Sequence, residues 1–226
     1  MRTYCFIFAR GGSKGLPNKN IIDFGGQPLI AHSINIAKEI SLIDKIIVSS
    51  DSDEILSISE NHGAQTIKRP KDLASDEASE WLAWRHAVNV IKEKENFDLF
   101  LSLPPTSPLR SKEDILNCFS VLDGNTDIVI TVTPSSRSPY FNMVSRNKGA
   151  ETKLFAHNDL YTRRQDVPET FDITTVAYLT RPDFIINNNS IFKGKVKSVI
   201  VPKERAIDID DEFDLMLARN ILSNKK

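Results

Sequence analysis

Three glycines and three cations fall within one short stretch, Arg10-Gly11-Gly12-Ser13-Lys14-Gly15-Leu16-Pro17-Asn18-Lys19-Asn20, directly after the apolar run Tyr4 to Ala9. Glycines let backbone N–H groups approach an anion closely, and Arg10, Lys14 and Lys19 supply positive charge, so the pattern is that of a polyphosphate-holding turn. The spacing is neither that of a P-loop, which puts Lys-Ser/Thr directly after its last glycine, nor that of Gly-x-Gly-x-x-Gly, because Gly11 and Gly12 are adjacent. At the far end of the chain, Ala206-Ile207-Asp208-Ile209-Asp210 places two carboxylates two residues apart. In an extended segment residues i and i+2 share a face, so Asp208 and Asp210 would point one way while Ile207 and Ile209 turn into the core. Two carboxylates on one face suit a hard octahedral cation such as Mg²⁺, which takes one or two carboxylates plus phosphate oxygens. Asp211 and Glu212 read instead as the acidic start of a helix.

Other chemistries find less support. The four histidines, His32, His62, His86 and His157, have no metal-ligand spacing, and no Ser-His-Asp arrangement is readable. Covalent catalysis is therefore not expected. Cys5 and Cys118 form no disulfide framework and are expected as buried thiols of a reducing compartment. A formal net charge of -1 argues against general nucleic-acid binding; the cations are local. No run approaches the roughly 20 apolar residues of a membrane span. The first apolar stretch is too short for a signal peptide and flows straight into the glycine turn, so the expectation is a cytoplasmic protein with no membrane partner.

The elements that must position these groups alternate between strand and helix. With 226 residues and 40% apolar content the chain can bury one sizeable core. Tyr4 to Ala9 reads as a buried strand, Leu29 to Ile40 as a helix and Lys45 to Ser50 as the next strand, which together make a βαβ unit. Asp51, Ser52 and Asp53 precede a helix from about Glu54 to Asn61, with Asp53 the expected N-cap. His62-Gly63 closes that helix and Gln65 to Lys68 forms a short strand. Ser79 to Lys94 is amphipathic, with Trp81, Leu82, Ala87, Val88 and Ile91 as its core face and the tryptophans as packing residues. Leu99 to Leu103 is another buried strand, and Thr106, Ser107 and Arg110 follow on a loop at the same sheet edge as the glycine turn if the strands run parallel. After a strand from Ile128 to Thr133 the pattern breaks. From about Pro134 to Glu169 the chain is polar, with short strands expected near Phe141 to Val144 and Lys153 to Phe155, and an excursion of this length in a compact domain is usually functional.

Five landmarks in order carry a resemblance. The glycine-rich turn, Arg69-Pro70-Lys71-Asp72-Leu73-Ala74-Ser75-Asp76, Pro105-Thr106-Ser107-Pro108-Leu109-Arg110, Arg164-Gln165-Asp166-Val167-Pro168-Glu169 and Ala206-Ile207-Asp208-Ile209-Asp210 together resemble the signatures of the CMP-sialic acid synthetases, the acylneuraminate cytidylyltransferases. The resemblance spans nearly the whole chain. It implies an α/β fold with a Rossmann-like, mostly parallel sheet of the nucleotide-diphospho-sugar transferase type, residues 1–133 and 170–226 forming the core and 134–169 an inserted dimerisation arm that also lids the partner's site. It further implies a homodimer that transfers CMP from CTP to a 2-keto-3-deoxy acid sugar with Mg²⁺ and releases pyrophosphate. Ala9, Arg10, Gly11, Gly12, Ser13, Lys14, Lys19, Asn20 and Arg69 would hold the nucleotide. Lys14, Lys19, Arg10 and Asp210 would serve catalysis, and Asp208 and Asp210 the metal. Thr106, Ser107, Arg164, Gln165 and Tyr178 would meet the sugar.

Two departures fall on the sugar side. Pro104 stands where the sialic acid enzymes usually carry Gln, and Thr174-Thr175-Val176 where they carry Asn-Gly-Ala. Losing amides there changes which donors and acceptors a sugar can meet. The expected substrate is thus N-acetylneuraminate or a related nonulosonate such as legionaminic or pseudaminic acid. An octulosonate, a sugar phosphate or a silent nucleotide-binding role are the alternatives.

Overall fold

A computed structural model of the protein describes residues 1–13, 15–156 and 163–224, with Arg164 described in its backbone alone. Eleven strands and six helices run in the order β1 (Thr3–Phe8), β2 (Asp23–Phe24), β3 (Gln27–Pro28), α1 (Leu29–Lys38), β4 (Lys45–Ser50), α2 (Asp53–Asn61), β5 (Gln65–Lys68) and α3 (Glu80–Lys92). They continue with β6 (Leu99–Ser102), α4 (Lys112–Val121), β7 (Ile128–Pro134), β8 (Val144–Arg146), β9 (Thr152–Leu154), β10 (Phe171–Thr180), α5 (Pro182–Asn187), β11 (Val196–Ile200) and α6 (Glu212–Asn224).

Seven strands form one sheet in the order β11-β7-β10-β6-β1-β4-β5. β10 alone runs antiparallel to its neighbours β6 and β7; the other pairings are parallel. The chain moves outward from β1 to β4 and β5, then returns to the other side of β1 through β6. That reversal is a topological switch point, where loops at the strands' carboxyl ends part and leave a crevice.

Strand β1 shows how alternation builds the layers. Cys5 and Ile7 face a core packed by α1 and α4 through Ile30, Ile34, Ile115 and Cys118, whereas Tyr4 and Phe6 face a second core with Trp81, Trp84 and Ile91 of α3. Both cysteines are buried thiols, and burial pushes each pKa up to about 12. Trp81 and Trp84 pack with ring centroids 5.4 Å apart, and Trp81 donates to the carbonyls of Ile185 and Asn188. Leu82, expected on the core face of α3, is instead exposed. One residue of phase separates it from Trp81, and two bulky indoles already fill the groove.

The start of α2 also differs from expectation. Ser52 is the N-cap and accepts from the Ile55 N–H, whereas Asp53 is the first helical residue and pairs with Lys68. Between β7 and β10, residues 135–170 leave the main sheet. Strands β8 and β9 pair only with each other, a few residues beyond the expected 141–144 and close to the expected 153–155. No helix among the described residues is long and apolar enough to cross a membrane.

Candidate functional site

Three loops converge on one small apolar cluster. Leu16 from the glycine turn, Leu109 from the segment after β6 and Ile209 from the segment before α6 are buried together with Phe24, Leu29, Leu215 and Ala218. Their polar neighbours are thereby brought to one mouth. Gly15 packs so tightly that a Cβ added there would lie 2.4 Å from the carbonyl oxygen of Asp210. The Ile209 N–H donates to the Thr106 carbonyl at 2.8 Å. Residues 206–210 form neither helix nor strand, and Ala206 is not extended, so the anticipated terminal strand is a loop pinned by the Ile209 bond.

The glycine turn is held from below. The Ala9 N–H continues the sheet by donating to Ser49 O, and the Gly11 N–H donates to Asp51 Oδ1 at 2.9 Å. Asn20, buried, donates from Nδ2 to the Arg10 carbonyl at 3.0 Å. Asp51, read in the sequence as a capping residue, is thus a loop anchor; its signal lay only in following a strand at the sheet's carboxyl edge.

The resulting cleft, about 370 Å³ in volume, is lined by Arg10, Lys19, Asn20, Arg69, Thr106, Asp208 and Asp210 among others. Lys19 Nζ lies 2.7 Å from Asp210 Oδ1, and Arg10 Nη1 lies 2.6 Å from Asp76 Oδ1. Arg69 is buried, donates to Ser49 O at 3.1 Å and keeps an unpartnered Nε; burial pulls its pKa down, countered by Asp51 and Glu80. Asp208 has a buried Oδ1 with no hydrogen-bond partner. An orphaned carboxylate oxygen beside an exposed carboxylate, both on one cleft, fits a hard divalent cation that completes its shell with phosphate oxygens. Among the described residues no group of three or more His, Cys, Asp or Glu could hold a metal.

Beneath the cleft lies a buried cation. The Arg110 guanidinium donates to Ser33 Oγ at 2.6 Å, to the Pro104 carbonyl and to the Thr175 carbonyl at 3.4 Å. Burial lowers its pKa to about 10, so it remains charged at neutral pH. It forms no ion pair among the described residues. Its bonds tie the Pro104 segment to the irregular stretch of β10 between Thr174 and Tyr178, joining the two positions at which the sequence departs from its resemblance. Pro104 and Thr175 both line the cleft.

Several expected residues stand elsewhere. Gly12 is exposed and Ser13 half-buried on the turn, outside the lining of the cleft. Ser107 is fully buried with its hydroxyl 2.6 Å from Thr175 Oγ1, so it supports Thr175 from behind. Tyr178 lines a neighbouring pocket with Trp84 and Phe192. Burial pushes its phenol pKa up, helped by the nearby charges of Glu80 and Asp208. Gln165 lines a third cavity with Arg137, Phe171 and Ile200, apart from the cleft. Lys14 and the Arg164 side chain lie outside the described residues.

Two supports had no sequence signal. Asp114 accepts twice from Arg205, at 2.8 Å each, while its carboxylate also completes the capping box of α4 with Ser111. That contact fastens the start of the 203–210 segment. Glu80, in the first turn of α3, lines the cleft as well.

A family model described as Cytidylyltransferase matches residues 4–212. Post-translational flagellin modification protein B of Campylobacter coli is 36% identical over 225 residues, spanning 98% of this chain and 95% of that protein. A CMP-N,N'-diacetyllegionaminic acid synthase of Campylobacter jejuni is 34% identical over 225 residues with the same coverage, 98% and 95%. Among solved structures, CMP:2-keto-3-deoxy-manno-octonic acid synthetase complexed with CTP superposes with a TM-score of 0.76 over 100% of both chains at 17% identity, a likeness of fold.

The Gly15 contact yields a direct expectation. Gly15→Ala forces the turn away from the Asp210 backbone, and overpacking of this kind costs about 1–3 kcal/mol. Urea denaturation should show that loss. Unchanged stability would mean that the turn and the carboxylate segment are not in contact.

Proposed function

The chain belongs to the cytidylyltransferase family, among the CMP-sialic acid synthetases and their relatives, and on that premise we propose that it transfers CMP from CTP to a nonulosonate, a 2-keto-3-deoxy acid sugar. The observation that carries the reading is the meeting of Arg10, Lys19, Arg69, Asp208 and Asp210 on one cleft from three separate loops. The sugar's anomeric hydroxyl attacks the α-phosphate, the bond from that phosphorus to the bridging oxygen breaks, and pyrophosphate leaves with the electron pair. Such transfers depend on positioning and charge stabilisation more than on covalent chemistry.

Arg10 and Lys19 take the triphosphate oxygens and offset charge on the departing pyrophosphate. Their ion pairs with Asp76 and Asp210 involve partners 43% and 71% exposed, and pairs of this kind contribute only about 0–1 kcal/mol, so a polyphosphate displaces them at little cost. Lys14, on the same turn, is proposed for the same task. Asp208 and Asp210 hold Mg²⁺. When bound there, it supplies charge neutralisation and a lowered pKa for a coordinated hydroxyl. Asp208→Asn should lower kcat/KM by at least about 100-fold with the fold retained. Pyrophosphate release and circular dichroism test this together; an active D208N enzyme would remove the metal assignment.

On the sugar side we place Thr106, Thr175 and Tyr178. The Pro104 and Thr174-Thr175 departures and the relative named for diacetyllegionaminic acid both favour a bacterial nonulosonate other than N-acetylneuraminate. A panel of N-acetylneuraminic, legionaminic, pseudaminic and 3-deoxy-manno-octulosonic acids with CTP should give its highest kcat/KM with legionaminic or pseudaminic acid. A preference for N-acetylneuraminate would refute that assignment.

The functional unit is proposed as a homodimer built through residues 134–169. Phe141, Val144, Phe155, Phe171, Ile173 and Ile200 are large apolar side chains exposed on the hairpin and the adjoining strand ends. Gln165 and Arg164 then serve the partner's cleft rather than their own. Light scattering should report twice the 25.4 kDa of one chain. A monomer that is fully active would contradict it.

A further inference from the structure

The two segments that depart from the sialic acid pattern meet on the cleft, and their polar groups are spent unequally. Thr174, standing where those enzymes carry Asn, is buried, and its hydroxyl donates to Thr131 Oγ1 at 2.7 Å. Thr131 Oγ1 also accepts from the Ala177 N–H at 3.1 Å, so this pair stitches the irregular stretch of β10 to β7 and is closed to a ligand. Thr175, standing where they carry Gly, is half-buried and lines the cleft with Pro104, Thr106 and Asp208. Side-chain polarity lost at positions 104 and 174 is thus replaced by one hydroxyl at position 175.

That hydroxyl has one proton to donate and two lone pairs. Thr106 Oγ1 donates to Thr175 Oγ1 at 3.4 Å, and Ser107 Oγ lies 2.6 Å from the same atom. Burial decides which member of the closer pair is the donor. Ser107 is fully buried and its hydroxyl has no other partner among the described residues, so a Ser107 proton not given to Thr175 would find no acceptor. Leaving a buried donor unmade costs about 1–3 kcal/mol. Thr175, on the cleft, can give its proton to whatever fills that space. Ser107 therefore donates, both lone pairs of Thr175 Oγ1 are taken, and the Thr175 proton is left for the cleft. Its backbone is fixed as well, because the Thr175 carbonyl accepts from Arg110 at 3.4 Å.

Resting on the nonulosonate reading above, we infer that Thr175 is a specificity-determining residue whose hydroxyl donates a hydrogen bond to an acceptor oxygen of the acid sugar, a carboxylate oxygen or an acyl carbonyl. A glycine at this position offers no side chain, so a sugar seated here meets a donor that the sialic acid enzymes do not present. A hydroxyl whose lone pairs are taken can only donate; it binds an oxygen and rejects an N–H placed at the same point. Thr106 also accepts the Ile209 N–H on its carbonyl, which fastens this donor to the segment carrying Asp208 and Asp210. The reaction itself passes no proton through Thr175.

The test is steady-state kinetics with CTP and sugar varied separately and with the best acid of the panel as the probe. Thr175→Val keeps the shape and removes the donor, but it strands the Ser107 proton. The double variant Ser107→Ala/Thr175→Val removes the pair together and leaves the core satisfied, a change that can be nearly neutral for stability. Both should raise KM for the sugar about 10-fold, with KM for CTP and kcat within about twofold of wild type. Thr175→Ser, which keeps the hydroxyl, should restore the sugar KM to within about threefold. A penalty that persists with 3-deoxy-manno-octulosonic acid, which has no acylamino group, as substrate or competitor supports the inference with the carboxylate as acceptor. A penalty confined to acylamino acids supports it with the carbonyl. An unchanged sugar KM in the double variant, a T175S enzyme as impaired as T175V, or an equal rise in KM for CTP overturns the inference while leaving the nonulosonate reading intact. A wild-type chain inactive with every acid on the panel would overturn both.

Discussion

A seven-residue apolar cluster, not the charges around it, sets the geometry of the cleft. Leu16, Leu109 and Ile209 belong to three loops far apart in sequence, and each is buried in the same cluster beneath α6. Fully burying such a side chain contributes about 1.5–3 kcal/mol, several times the worth of an exposed ion pair. The Lys19–Asp210 and Arg10–Asp76 pairs are thus consequences of that convergence. Breaking them need not loosen the loops, because the loops are anchored by buried apolar contacts.

Arg110 does for the sugar side what the apolar cluster does for the phosphate side. A buried guanidinium is costly unless its donors are used, and hydrogen bonds from a charged donor are worth about 1.5–3 kcal/mol each. Here they go to Ser33 and to the carbonyls of Pro104 and Thr175, the two segments that depart from the sialic acid pattern. Because the anchor bonds to carbonyls, it is indifferent to the side chains at 104 and 175. The backbone can stay fixed while those side chains change.

The sheet was legible in the sequence because β1, β4, β6 and β7 are largely buried runs bounded by turn residues, and their limits agree with the periodicity to within a residue. Arg10, Lys19, Asp208 and Asp210 of the cleft were legible for a related reason: glycine-rich turns and Asp-x-Asp carry local signals. What stayed hidden depended on tertiary contact. Ser107 looked like a ligand residue until Thr175, 68 residues later, took its hydroxyl. Asp53 looked like a cap because an Asp before a helix caps about as well as a Ser, and only the backbone path decided for Ser52. Asp51 sits where an acid has an ordinary local explanation, so its bond to the Gly11 N–H is hard to read from one sequence.

The charges lining the cleft pose a last question. Among the described residues Arg10, Lys19 and Arg69 face Asp76, Glu80, Asp208 and Asp210, three cations against four carboxylates. Such a lining does not attract a triphosphate by net charge, and even Lys14 would only balance it. Acidic groups so placed make sense when a divalent cation is part of the binding surface, since an ion is often the largest local charge in a site and inverts its electrostatics. On this view Asp208 and Asp210 accept the cost of facing an anion in order to hold the ion that binds it.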